Sequence, residues 1–275
     1  MSLSNTTAYV KQQYATSANL DARIALHQKY STASEHFHDW LFAHVQLPDN
    51  ARVLEIGCGS GALWERVRVN MPLAWKITLT DFSFGMVDAV RGKFTKPVFA
   101  KKTGLVNFPF SFAQSDAQQI PFLNESLDGI FANHMLYHVP DLDRALAEIR
   151  RVLKRGGNFY AATNGLAHLR ELGDLVSDMT QQPFTTQTPE RIFGLENGAA
   201  LLARHFEIVT RDVHENNLRV TEVEPLVAYV TSGAQFTGAT VNAAVEQEFH
   251  RRVQNEIDAK GAFHITKAVG MFVAS

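Results

Sequence analysis

The stretch Val53 to Trp64, VLEIGCGSGALW, decides how this chain is read. Val53, Leu54 and Ile56 suit a strand bound for a core, yet Glu55 stands among them. Glycines follow at 57, 59 and 61, before the helical run ALWERVRV. Strand, glycine turn and helix together make a nucleotide-binding plan. Glycine lets the backbone pass close to a ligand in conformations that a side chain forbids, and the first helical turn presents N–H groups with no partner in the helix.

Upstream, residues 19–44 carry a helical pattern with Leu20, Ile24, Leu41 and Phe42 as apolar positions, broken by Pro48 and Asp49. Downstream, WKITLTD reads as a buried strand ending at Asp81, and FSFGMVDAVRGKF as a helix with Ser83 as N-cap. Residues 95–107, with Pro97 and Gly104, read as a loop with a short edge strand. FPFSFAQSD gives a third strand ending at Asp116, and LDGIFAN a fourth ending at Asn133. DLDRALAEIRRVL is a helix with Leu142, Ala145, Ile149 and Leu153 on one stripe, and GGNFYAAT a fifth strand. This alternation predicts an α/β fold with a parallel sheet covered on both faces. Beyond Thr163 it loosens: helices near 166–179 and 189–203, a strand FEIVTRDV, helices near 222–231 and 241–259, and FHITKAVGMFVA as the last strand.

The chain has 275 residues, 45% hydrophobic and 20% charged, enough for one large α/β domain with additions. Its 26 basic and 28 acidic residues, net charge −2, form no long run of either sign, so no nucleic-acid partner is expected. MSLSNTTAYVKQQYA has neither the basic nor the apolar region of a signal peptide, and no segment approaches the roughly 18 apolar residues of a membrane span. The expectation is a cytoplasmic protein without membrane contact. The single cysteine, Cys58, agrees with a reducing compartment.

In an open parallel sheet, ligands sit beyond the carboxyl ends of the strands, where the strand order reverses. Glu55, Gly57, Asp81, Asp116 and Asn133 all fall at such ends. Asp81, 20 residues after Gly61, stands where an acidic residue takes the hydroxyls of a ribose. Gly57, Gly59 and Ala62 also satisfy the dinucleotide pattern, so an NAD-dependent oxidoreductase is the alternative. Against it, the Glu55 carboxylate would repel a pyrophosphate and attract a cationic ligand, and no second nucleotide-binding half follows residue 163.

With these motifs in order, the sequence resembles the class I S-adenosylmethionine-dependent methyltransferases of the small-molecule type. VLEIGCGSG resembles the first motif, LTDFS the ribose-binding acidic position, SDAQQIPF the adenine-contacting motif, and LDGIFANHMLYHVPDLDRALAEIRRVLKRGG the fourth strand with its following helix. The resemblance covers residues 48–163 in motif detail. It implies a doubly wound, mostly parallel seven-stranded sheet with an antiparallel last strand, and a lid of N-terminal and inserted helices. The expected division is a helical cap over 1–47, a core over 48–213 and 261–275, and a helical insertion over 214–260 covering the substrate. It further implies that the Gly57, Cys58 and Gly59 backbone lines the methionine portion of S-adenosylmethionine, with Glu55 orienting the loop and favouring the ammonium. Asp81 takes the ribose hydroxyls, Phe82 and Met86 pack on the adenine, Asp116 and the Ala117 N–H bond its edge, and the Asn133 carbonyl holds the amino group. Two departures stand out: Arg155 replaces the family's usual proline, and residues 95–107 exceed the minimal connection.

If the acceptor is a hydroxyl or amine, a general base helps, and NHMLYHVPD offers His138, preferred, and His134. Both also have a structural reading, bonding loop backbone beneath the crevice. No metal site is expected, since neither this pair nor EHFHD at 35–39 has a third ligand in view. Cys58 reads as a small residue chosen for fit. Arg23, His27 and Tyr30 share one helix face, where Arg23 could meet the cofactor carboxylate and Tyr14 or Tyr30 could close the pocket; a solvated face is the alternative. The expected activity is methyl transfer to a small molecule, with acceptor atom and oligomeric state left open. A protein that binds S-adenosylmethionine without transferring its methyl group would share the same motifs.

Overall fold

The computed structural model describes residues 25–95, 98–100, 104–106, 110–181, 192–237 and 242–275. Helix α1 (Phe37–Ala43) precedes β1 (Arg52–Ile56), α2 (Ala62–Val67), β2 (Lys76–Asp81) and α3 (Phe84–Phe94). Short strands β3 (Val98–Ala100) and β4 (Gly104–Val106) lead to β5 (Phe110–Gln114), β6 (Leu127–Asn133), α4 (Leu142–Val152) and β7 (Leu153–Asn164). Then come α5 (Arg170–Thr180), α6 (Gly198–Leu202), β8 (Val209–Val213), β9 (Asn217–Val220), α7 (Glu224–Thr237), α8 (Ala243–Lys260), β10 (Phe263–Thr266) and β11 (Val269–Ala274).

Seven strands form the main sheet in the order β5-β2-β1-β6-β7-β11-β8. The pairs among β5, β2, β1, β6 and β7 are parallel, whereas β11 runs antiparallel to both β7 and β8. The chain winds outward from β1 to β5 and then returns to lay β6 against β1. The order reverses there, so the carboxyl ends of β1 and β6 bound the crevice of the fold.

The two faces of β1 explain why its residues are apolar. Val53 packs with Trp40, Leu63, Trp64 and Tyr160 on one side, while Leu54 and Ile56 join Ile130, Ala145, Ile149 and Phe159 on the other. Phe131 and Tyr160 stack at 4.8 Å on neighbouring strands. Helix α3 begins at the expected cap, the Ser83 hydroxyl accepting from the Met86 N–H at 3.4 Å, and α4 begins where the Asp141 carboxylate accepts from the Arg144 N–H at 3.0 Å. Helix α4 then buries Ala145, Leu146, Ile149 and Val152, each of its larger side chains worth about 1.5–3 kcal/mol.

Three stretches differ from the sequence reading. The closing run is two strands: β10 pairs antiparallel with β9 in a separate ribbon, and only β11 enters the main sheet. Glu171 holds the break open, accepting from the Thr266 N–H at 2.8 Å and hydroxyl at 2.5 Å. Within 95–107, β3 and β4 pair with each other rather than with the sheet edge. The described part of the N-terminal run is helical over 25–30 and over α1, interrupted where the Ser31 hydroxyl bonds Asn216 Oδ1 at 3.0 Å and the Thr32 N–H the Asn217 carbonyl at 2.9 Å.

A third apolar cluster stands apart from the sheet. Leu26 and Tyr30 meet Leu172 and Val176 of α5, Leu218 of β9, Leu226 of α7, Phe249 of α8 and Ile265 of β10. Leu26 and Tyr30 thus share one apolar cluster with described residues of the 214–260 segment, α5 and β10. No helix among the described residues is long and apolar enough to cross a membrane.

Candidate functional site

Gly57, Gly59 and Gly61 have φ of +66°, +52° and +72°, a region closed to most side chains. A Cβ on Gly57 would stand 2.8 Å from Met135 Cβ, so the turn is shaped by close approach as well as by torsion. The Cys58 N–H donates to the Thr80 carbonyl and the Gly61 N–H to the Cys58 carbonyl, both at 2.9 Å. Cys58 itself is buried, and burial pushes its thiol well above the ordinary range. A buried thiol of raised pKa is poorly suited to act as a nucleophile.

The Asp81 carboxylate ties the end of β2 to this turn, with Oδ2 accepting from the Gly59 N–H at 3.0 Å and Oδ1 from the Ser83 N–H at 2.8 Å. Burial raises its pKa, and these backbone bonds oppose the rise. Two carboxylate oxygens offer about four acceptor sites, so capacity remains for the hydroxyls of a ligand.

Glu55 faces inward and away from the open crevice. Trp64 Nε1 donates to its Oε2 at 2.6 Å, and Asn133 Nδ2 to its Oε1 at 2.8 Å. It is 3% exposed, and burial pushes its carboxyl up to about 7 against the pull of the two hydrogen bonds. It therefore meets the tryptophan of α2 and the asparagine ending β6, rather than a ligand ammonium directly. Asn133 Oδ1 is buried without a partner.

Along the crevice, Met86 is buried and Phe82 half-buried. The Phe82 carbonyl accepts from Gln114 Nε2 at 2.8 Å. Asp116 closes an Asx turn, accepting from the Gln118 N–H at 2.8 Å and from Gln118 Nε2 at 3.0 Å. Gln118 thus occupies the edge where an adenine amine would approach, a residue the motif reading passed over. Ala117 is buried against Ile120 and Leu136.

The two histidines differ sharply. His134 has φ +53° and is half-buried, its ring 5.5 Å from Phe37. Burial, then Lys267, pushes it down to about 4. His138 ends the short turn Leu136–His138, half-buried with its ring 4.6 Å from Tyr137. Tyr30 is buried in the third apolar cluster, with Leu26, Leu218 and Phe249. Tyr14 and Arg23 lie outside the described residues. Among the described residues, no three His, Cys, Asp or Glu side chains could hold a metal ion.

A reversed seventh strand and a glycine turn at the switch point, with carboxylates at successive strand ends, define the class I S-adenosylmethionine-dependent methyltransferase architecture. Residues 54–161 match the family model described as a methyltransferase domain, and residues 1–66 the model for protein-L-isoaspartate(D-aspartate) O-methyltransferase. Residues 54–161 are thus similar to a methyltransferase domain, within a fold of the class I type. Sterol 24-C-methyltransferase ERG6B of Gibberella zeae is 28% identical over 148 residues, 54% of this chain and 34% of that protein. Malonyl-[acyl-carrier protein] O-methyltransferase of Methylococcus capsulatus is 35% identical over 125 residues, 46% of this chain and 42% of that one. A solved structure, a putative methyltransferase from an antibiotic biosynthesis pathway of Anabaena variabilis, matches with a TM-score of 0.60 at 14% identity. That match covers 86% of this chain and 96% of the other, and it speaks for the fold. The chain spans about a third to just under 60% of the length of the first curated relatives it matches.

Proposed function

We propose that this chain transfers the methyl group of S-adenosylmethionine to a small-molecule acceptor. The observation that carries this reading is the joined pair of strand ends, Asp81 bonded to the Gly59 N–H in a turn where Gly57 and Gly61 leave no room for a Cβ. A nucleoside fits that pairing: the carboxylate receives ribose hydroxyls, while the open glycine backbone lies along the chain that follows them. The unpartnered Asn133 Oδ1 at the next strand end adds an acceptor suited to an ammonium.

In this reading, Gly57, Cys58 and Gly59 line the methionine portion and Asp81 holds the ribose. Phe82 and Met86 flank the adenine, the Asn133 carbonyl takes the amino group, and Asp116 with the Ala117 N–H meets the ring edge once the Gln118 amide yields it. Glu55 acts from behind as a positioning residue for Asn133 and Trp64, and its ionised form favours the cationic end of the ligand. When bound, S-adenosylmethionine supplies a sulfonium methyl that is open to in-line displacement.

The protein's own task is mainly alignment. Holding two reactants in line is worth up to roughly 7–11 kcal/mol, whereas a positioned base adds about 10²–10⁴-fold. His138 is the proposed base where the acceptor must lose a proton. His134, drawn down to about 4, is neutral at pH 7 and a poor proton acceptor, so hydrogen bonding is its role. Residues 1–47 and 214–260 are proposed to cover the acceptor, with the shared apolar cluster of their described parts in support. A cytoplasmic setting belongs to the same reading, consistent with a lone, buried free thiol.

Calorimetric titration with S-adenosylmethionine and its demethylated product tests the cofactor assignment, and no saturable binding of either removes it. A metabolite screen read by mass spectrometry then separates a transferase from a protein that only binds the cofactor. Gain of a methyl group on any acceptor decides for the transferase.

A further inference from the structure

Gln118 occupies the edge on which the proposed adenine contact depends, and it does so from a turn whose main chain is held on all sides. The Gln119 N–H donates to the Asp116 carbonyl at 3.0 Å, and Arg144 Nε to the Gln118 carbonyl at 3.0 Å. The Ile120 N–H donates in turn to Glu148 Oε2 at 2.9 Å. Helix α4 thus grips the backbone at 118 and 120, and the Gln118 side chain is the part left free to turn.

That side chain reaches back to the carboxylate. Gln118 Nε2 stands 3.0 Å from Asp116 Oδ1 and 3.2 Å from Oδ2, so the amide NH₂ straddles the open mouth between the two oxygens. The Gln118 main-chain N–H already holds Oδ1 at 2.8 Å. A carboxylate offers about four acceptor sites, and a single residue engages both of its oxygens here. At the other end of the amide, Gln118 Oε1 accepts from the Asp141 N–H at 3.1 Å. Asp116 needs a donor and the Asp141 N–H an acceptor, so only this orientation of the amide serves both.

The contact is built to open. Asp116 and Gln118 are half-buried and Asp141 is exposed, so water can replace whichever partner is lost and no polar group is stranded. The NH₂ of a carboxamide and the ring amine of adenine are the same kind of donor, planar, neutral and with two N–H groups. They compete for the same pair of oxygens.

We propose that the Gln118 carboxamide is an internal stand-in for the adenine amine, an autoinhibitory contact that the cofactor displaces from Asp116. It lowers the affinity of a nucleoside that carries the amine and leaves one without it unaffected. S-adenosylmethionine and its demethylated product share the same adenine, so the competitor loosens both and favours release of the product. The proposal rests on the methyl-transfer reading, which puts adenine at Asp116.

The test is calorimetric titration of the full chain with S-adenosylhomocysteine and with its analogue in which unsubstituted purine replaces adenine. Wild type is compared with Gln118→Met and Gln118→Ala, both of which keep the main-chain N–H and lose the competing amide. Expected is S-adenosylhomocysteine binding about fivefold tighter in the two variants, the gain from one removed hydrogen-bond competitor. Binding of the purine analogue should stay within about twofold of its wild-type value. Comparing two ligands in one variant cancels any change in packing on the base, which a merely structural role of Gln118 would alter for both alike. Affinity for S-adenosylhomocysteine that is unchanged or weaker in either variant, or an equal gain for the two ligands, overturns the proposal and leaves the cofactor reading standing. Absence of S-adenosylhomocysteine binding in wild type and variants removes both.

Discussion

Replacing Glu55 by glutamine should change the slope of stability against pH. Burial raises the Glu55 carboxyl from its ordinary 4.5 to about 7 in the folded chain. Between those values the folded state binds more protons than the unfolded state, so stability falls as pH rises from 4.5 to about 7 and levels off above. At about 1.36 kcal/mol for each pH unit in that window, ionising the buried carboxyl costs roughly 3 kcal/mol. Glutamine cannot ionise and escapes this loss. It does set an amide NH₂ opposite a donor, Trp64 Nε1 or Asn133 Nδ2, at a cost of about 1–3 kcal/mol. That cost is the same at every pH and displaces the whole curve. Urea denaturation of both proteins from pH about 4.5 to about 8 measures the difference at each point. The stability of the variant relative to wild type should rise by roughly 3 kcal/mol across the window. Parallel curves would refute the reasoning, because they would mean that Glu55 titrates alike in the folded and unfolded chains.

Asp81→Ala should weaken S-adenosylhomocysteine binding by about 2 kcal/mol or more, roughly thirtyfold, in calorimetry; unchanged affinity would place the ribose elsewhere. Gly57→Ala puts a Cβ 2.8 Å from Met135 Cβ at φ +66° and should cost about 1–3 kcal/mol in thermal or urea unfolding. Tyr160→Phe removes the hydroxyl that accepts from the Gln46 N–H at 2.9 Å and donates to the Gln46 carbonyl at 3.1 Å. It should lose about 1–2 kcal/mol by urea denaturation, and a neutral result would mean that the segment before β1 is held by packing alone. His138→Gln should reduce kcat by about 10²–10⁴-fold if the acceptor is a hydroxyl or amine, and by much less if it is already ionised.

What the sequence made legible was local. The glycines of the β1–α2 turn and the cap at Ser83 could be read directly, because residues two or three apart decide them. The same holds for Gln118, whose N–H two residues beyond Asp116 makes an Asx turn that the SDAQQ pattern could have signalled. Trp64 was within reach as well, one turn into α2 and facing back on Glu55. The split between β10 and β11 was not. Nothing in FHITKAVGMFVA marks a break, since Glu171 and the pairing with β9 impose it from positions far away in the chain. Residues 31–36 interrupt a helical pattern for the same reason: Asn216 and Asn217 offer the backbone partners that no short window contains.

The state of the histidines bears on how much chemistry the protein must perform. A base is useful where the acceptor loses a proton as it attacks, and it works best with a pKa near the working pH. His134 and His38, pushed by burial down to about 4 and about 3, are far from that condition. An acceptor that arrives ionised needs no base at all. A neutral alcohol beside these imidazoles would be slowed, since its proton would have to leave toward rings that resist protonation. On the proposed reading the glycine turn and Asp81 would serve the cofactor alike for either acceptor, and the choice between them would rest on the groups around the acceptor.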